Sequence, residues 1–254
     1  MRSKCLLVTA LIMLVMPKHG YASTNNEFNI KCEIHLPDTN INVNFKPGVV
    51  SLDSSKNTME LSATQSNNGL QRDRSTTLGL TKAELSVSLS WHLNYIIDDH
   101  SGSSCARPVI SITLGTTTQR VFIGSEFSED SCPYKFILEH ELRHVSANEL
   151  YARQAAQKLK TQMQRWYANR VFYGDIDAIN TKISNQLNND WSPWVHRLFG
   201  LVQQEHANID SPQEYKRSNY VCEGQIPARL RQERLKRNAR QVRQMISQHI
   251  TAKP

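Results

Sequence analysis

No proline or glycine interrupts the chain between Pro133 and Gly174. Asp130 or Ser131 can cap such a stretch and Pro133 suits a first helical turn, so the run predicts one long helix, or two close-packed ones, from about Pro133 to Asn169. Near its start stands His140-Glu141-Leu142-Arg143-His144. At about 100° per residue the two histidines lie about 40° apart on one helix face, and both rings can reach one metal ion. Glu141 lies about 100° from His140, at the edge of that face, where it can touch a metal-held water without replacing a ligand. With nine histidines and thirteen glutamates in the chain, chance yields this pattern roughly 0.016 times per sequence of this composition. A zinc-type site therefore explains the motif better than two histidines hydrogen-bonded in a core. The frame agrees: Phe136, Ile137, Ala147 and Tyr151 surround the histidine face, and Leu138, Leu142 and Val145 form a second apolar face.

The ends of the chain differ in character from its middle. Arg2 and Lys4, the apolar run Leu6 to Met16 and the small-residue ending Gly20-Tyr21-Ala22 read as a secretory signal peptide over residues 1–22. That run is too short to span a bilayer comfortably. The expectation is an exported protein, periplasmic or secreted. Four cysteines follow, Cys32, Cys105, Cys132 and Cys222, and an even count in an oxidising compartment reads as two disulfides. Subtracting Arg2, Lys4 and Lys18 from the 30 bases leaves 27 against 23 acids. Residues 224–254 hold eight bases and one acid, so the basic character belongs to this tail and the rest is slightly acidic.

Residues 23–84 read as a β-rich region, 85–223 as the domain carrying the motif and 224–254 as a basic helix. Alternation in "NIKCEIHL", "INVNF", "VVSLD" and "TMELSAT" predicts strands, and "QSNNGLQRDRS" a polar loop. Leu85, Val87, Leu89, Trp91, Leu93 and Tyr95 alternate most clearly. "PVISITL" and "RVFIGSEF" suggest a hairpin across Gly115-Thr116-Thr117-Thr118. Such a hairpin would bring Cys105 to Cys132 and leave Cys32 for Cys222. A helix starts at Ser192-Pro193 and should stop before Pro212. A β-rich half followed by an α-rich half is α+β.

A strand, a hairpin and then a helix bearing His-Glu-x-x-His resemble the zincin metallopeptidases over Leu85 to Ala147. In those enzymes a sheet edge beside the helix holds an extended peptide by strand addition. More narrowly, "CPYKFILEHELRHV" followed by "HANIDSPQEYKRSNYVC" is similar to a family of bacterial exported proteins regarded as zinc-dependent proteases. The resemblance implies Zn2+ as cofactor, His140 and His144 as ligands, Glu141 as general base and a peptide or protein substrate. The third histidine of metzincins is absent after His144, and so is a glutamate between Tyr151 and Asp190 that could serve as in gluzincins.

The third ligand is expected at His206, at the end of the helix begun by Pro193 and within the narrower resemblance. Asp175, Asp177 and Glu149 are the other candidates, although Glu149 would point about 180° from His140 on a continuous helix. Asp210 reads as a cap before Ser211-Pro212. An amidase acting on cell-envelope material and a non-catalytic zinc-containing binding protein are the competing functions. In the tail, Arg229, Arg231, Arg234, Lys236, Arg237, Arg240 and Arg243 surround a stripe of Ala228, Leu235, Ala239, Val242, Ile246 and Ile250. Such a helix either docks by its stripe or meets an anionic membrane surface or an acidic partner. Nucleic acid is not expected, since no aromatic residues interleave the bases.

Overall fold

The computed structural model describes residues 22–67 and 76–251. The expected signal peptide, apart from Ala22, and most of the polar loop lie outside the described residues.

The breaker-free stretch forms one continuous helix, α3 (Cys132–Tyr167). Ser131 caps it, its hydroxyl accepting from the Tyr134 amide at 3.2 Å, and Pro133 occupies the first turn. At 36 residues it is about 54 Å long, enough to serve two sheets. The larger sheet has the order β1 (Asn40–Lys46), β5 (Ser104–Thr116), β4 (Leu85–Ile97), and β7 (Phe172–Gly174) also pairs with β5. The smaller has the order β2 (Val50–Asp53), β6 (Gln119–Ile123), β3 (Gly79–Lys82). Ile110, Ile112 and Leu114 of β5 pack with Ala155, Leu159 and Met163 from the second half of α3. Val121 and Ile123 of β6 pack with Tyr134, Ile137 and Val145 from its first half. The fold is α+β.

The strands expected in "INVNF", in "VVSLD" and from Leu85 are present, but the regional division does not hold. β1 and β2 are parallel partners of β5 and β6, so the N-terminal region completes both sheets of the following domain. The expected hairpin between 108–114 and 120–127 does not form. β4 and β5 pair instead over thirteen residues, from Leu85↔Thr116 to Ile97↔Ser104. With β1 on its other edge, β5 has no edge left for β6, which passes into the smaller sheet. Gly115 permits the close approach of β1: a Cβ there would lie 2.0 Å from the Lys46 carbonyl oxygen.

Two expected strands are helices. "NIKCEIHL" falls in α1 (Ala22–His35), where the spacing Phe28, Cys32, Leu36 puts one face against Cys105, Ile96 and Val171. The alternating Ile30 and Ile34 are left exposed. "TMELSAT" falls in α2 (Thr58–Asn67). Asn57 Oδ1 accepts from the amides of Met59 and Glu60, and Glu60 Oε2 accepts from the Asn57 amide at 2.8 Å. This is a reciprocal capping box, and it overrides the alternation.

The disulfides are Cys32–Cys105 and Cys132–Cys222, not the expected Cys105–Cys132 and Cys32–Cys222. The expected pairing required β5 and β6 to fold back on each other. Instead Cys105 begins a strand against α1, and Cys132 begins α3, beside the short 3-10 turn Val221–Gly224. Arg107 reinforces the first link, donating from Nη1 to the Leu36 carbonyl at 3.0 Å. Non-reducing peptide mapping should recover peptides joining Cys32 to Cys105 and Cys132 to Cys222. A fragment joining Cys105 to Cys132 would overturn this topology.

Candidate metal centre

Four short helical segments follow β7. α4 (Ile176–Asn185) leads through a π-helical turn (Gln186–Trp191) into α5 (Ser192–Gly200), and α6 (Val202–Ile209) and α7 (Pro212–Arg217) complete the set. α6 packs on α3 through Val202, Ile209 and Ala147. Its last turn therefore reaches the histidine face, and Asp210 ends it with a backbone bond to the His206 carbonyl at 2.9 Å.

Three donor atoms converge there. His140 Nε2 and His144 Nε2 are 3.3 Å apart, and each is 3.1 Å from Asp210 Oδ1. A tetrahedral ion with bonds of about 2.0–2.1 Å separates its ligands by roughly 3.3–3.4 Å. The three atoms thus already stand near three corners of such a shell. His140, His144 and Asp210 are the group of described residues placed to hold a metal.

The hydrogen bonds around His144 determine which of its nitrogens faces that group with a lone pair. The Glu149 carboxylate only accepts, so Gln119 Nε2 donates to it at 3.3 Å and Gln119 Oε1 accepts from Asn148 Nδ2 at 3.1 Å. Asn148 Oδ1 then accepts from His206 Nε2 at 3.0 Å. That leaves His206 Nδ1 as an acceptor, 2.9 Å from His144 Nδ1, which must donate. Neutral His144 consequently turns its Nε2 lone pair toward the Asp210 oxygen. Two acceptors 3.1 Å apart repel unless a proton or a cation lies between them. This donor set fits a divalent cation with an affinity for imidazole and carboxylate.

On the other histidine, Arg143 Nη2 is 2.9 Å from His140 Nδ1, and Glu214 Oε1 lies 3.6 Å from the same nitrogen. Arg143 and Arg217 both pair with Glu214. Metal ligation through Nε2 requires a hydrogen on Nδ1, which Glu214 can accept and Arg143 cannot.

Charges in the cluster follow its bonding. Burial would raise the Asp210 carboxyl, but the His140 and His144 rings against its oxygen outweigh it and hold the group far below the usual carboxylate range. Burial would lower His140, yet the Asp210 bond and the Glu141 and Asp210 charges raise it. Burial and the neighbouring His144 lower His206. Glu141 is buried, and burial raises its carboxyl against the pull of both histidines. Thr81 Oγ1 of β3 donates to Glu141 Oε2 at 2.8 Å.

His140, Glu141 and His144 thus stand together as expected. His206 also reaches the cluster, but at the far nitrogen of His144, while Asp210 supplies the third converging atom. The side chain of Asp210 does more than the expected cap. Its spacing from His206 matches that of His140 from His144, and this places both on the face of α6 turned to α3. Glu149 points away and accepts from Gln119, and Asp175 caps α4. The positions of Gln119 and Asn148 carried no sequence signal, because one comes from β6 and the other from α3. No protein-family model matches the chain, nor does any curated protein or solved structure.

Zinc affinity, measured by competition with a chromogenic chelator, should fall more than a hundredfold in Asp210→Ala. In His206→Ala the loss should be about 10–100-fold, as for a residue that orients a ligand, and Glu149→Ala should lose less still. Loss on His206→Ala that exceeded the loss on Asp210→Ala would exchange their roles.

Proposed function

We propose that the chain is an exported zinc-dependent metallopeptidase in which His140, His144 and Asp210 hold the ion and Glu141 is the general base. The observation that carries this reading is the buried Glu141 carboxylate beside three converging donors. A bound zinc ion would supply Lewis acidity, polarising a carbonyl and acidifying a water molecule.

The protein's own residues account for the proton. Thr81 occupies Oε2 of Glu141, which leaves Oε1 to accept a proton from the attacking water. A carboxyl raised by burial retains that proton better than an exposed one and can hand it to the departing amine. His144 is held in one tautomer by the His206–Asn148–Gln119 chain, so its ring need not reorient during the cycle.

A peptide substrate is favoured by the wall opposite α6. β3 pairs with β6 alone among the described strands, and Thr77 to Thr81 line the cleft together with His140, Glu141 and His144. An extended peptide can add along such an edge. Gly79 matters here, since a Cβ would lie 2.6 Å from Glu141 Oε1 and 2.7 Å from Ile137 Cγ2. Export is supported by the two disulfides. No helix among the described residues is long and apolar enough to cross a membrane.

Glu141→Gln should keep zinc and lose about 10²–10⁴ in peptide cleavage rate, assayed at equal zinc occupancy on an unbiased peptide library. Activity surviving in Glu141→Gln would assign the base elsewhere. Zinc-loaded wild type that cut no peptide in the library would reject the peptidase reading. Gly79→Ala should also keep zinc but cut more slowly, because its methyl group must displace Glu141 or the strand. Unchanged cleavage would show that β3 can retreat without affecting the base.

A further inference from the structure

The C-terminal helix α8 (Gln225–Thr251) is 27 residues long, yet only its beginning is attached to the domain. Ile226 is buried and Leu230 packs against the smaller-sheet core. Arg229 Nε donates to the Glu126 carbonyl at 2.9 Å, and Arg237 reaches Met59. Every residue from Asn238 to Gln248 is exposed.

The docked residues do not belong to the apolar stripe. At about 100° per residue Ile226 and Leu230 lie roughly 140–180° away from Leu235. Leu235, Ala239, Val242 and Ile246 share one narrow face on the opposite side. That face is uncovered: Leu235, Val242 and Ile246 are 63%, 49% and 54% exposed. Arg231 and Arg234 border it on one side, Lys236 and Arg243 on the other. Glu233, the one acid of the helix, lies opposite the stripe and accepts from Lys236 at 2.8 Å.

We propose that α8 lies with this stripe on an anionic membrane surface, its flanking cations meeting lipid phosphates. Cations on both borders of an apolar face suit a plane of negative charge over a hydrocarbon boundary. A second copy of the chain suits it poorly. The 4-3-4 spacing of Leu235, Ala239, Val242 and Ile246 resembles a coiled-coil seam. Parallel pairing, however, would set Arg231 against Lys236, and antiparallel pairing would set Lys236 of one copy against Arg243 of the other. A protein groove is also disfavoured, because residues 225–254 contain no Trp, Tyr or Phe to act as an anchor. The proposal is independent of the metal centre and of the peptidase reading.

The test is co-sedimentation of the full-length chain with phosphatidylcholine vesicles with and without phosphatidylglycerol. Two variants, R231Q/R234Q/R243Q and L235S/V242S/I246S, are compared with wild type, so that the N-terminal apolar run contributes equally to each. Wild type should prefer the phosphatidylglycerol vesicles. The charge variant should lose on the order of 100-fold in affinity for them, and the stripe variant should lose affinity at raised salt, where the charges are screened. Both variants alter exposed residues, so the fold should survive, as far-ultraviolet circular dichroism can verify. Equal binding to both vesicle types, or both variants binding like wild type, would overturn the proposal. So would capture by poly-glutamate as tight as that by vesicles, or a wild-type dimer in sedimentation that the stripe variant abolishes.

Discussion

α3 spans both sheets, and the placement of nearly every other element follows from that span. Its second half buries small and apolar residues against β5, and its first half buries Ile137 and Val145 against β6. β5 and β6 are consecutive strands that cannot pair, since β1 and β4 occupy both edges of β5. One long helix across two adjacent sheets gives this chain a common scaffold. It also brings His140, Glu141 and His144 beside the short edge strand β3.

Polar groups buried where this helix meets β6 must then be satisfied. Gln119 is completely buried and Asn148 nearly so, and a buried donor or acceptor left without a partner costs about 1–3 kcal/mol. The Glu149–Gln119–Asn148–His206–His144 sequence of hydrogen bonds removes that cost, and the acceptor-only carboxylate at its end sets the direction of every bond. Structural satisfaction and ligand orientation are here the same interaction. His140 has a different environment, with Arg143 and Glu214 competing for its Nδ1. The two histidines, equivalent by spacing, are therefore unequal in their preparation for a cation.

Local rules made part of this legible in the sequence. The absence of breakers after Pro133 marked α3, and the four-residue interval of the histidines marked their shared face. The strand from Leu85 was readable from its period of two. Short alternating runs misled at α1 and α2, because Ile30, Cys32, Ile34 and Leu36 fit a strand while Phe28, Cys32 and Leu36 also fit a helix. Only the contact with Cys105 decides between them. The Asn57-x-x-Glu60 box was a local signal that outweighed the alternation around it. Disulfide partners depend on which strands pair, and that is decided by competition for the edges of β5. The same holds for the amides of Gln119 and Asn148, which meet only in the folded chain.

The identity of the atoms around the ion tests the central claim most directly. Crystals of the zinc-loaded protein, with anomalous diffraction collected on both sides of the zinc absorption edge, would locate the ion without reference to activity. We expect one strong peak within about 2.0–2.2 Å of His140 Nε2, His144 Nε2 and an Asp210 carboxylate oxygen, with His206 still bonded to His144 Nδ1. A peak bound by His206 in place of Asp210, or no peak between the two helices at saturating zinc, would contradict it.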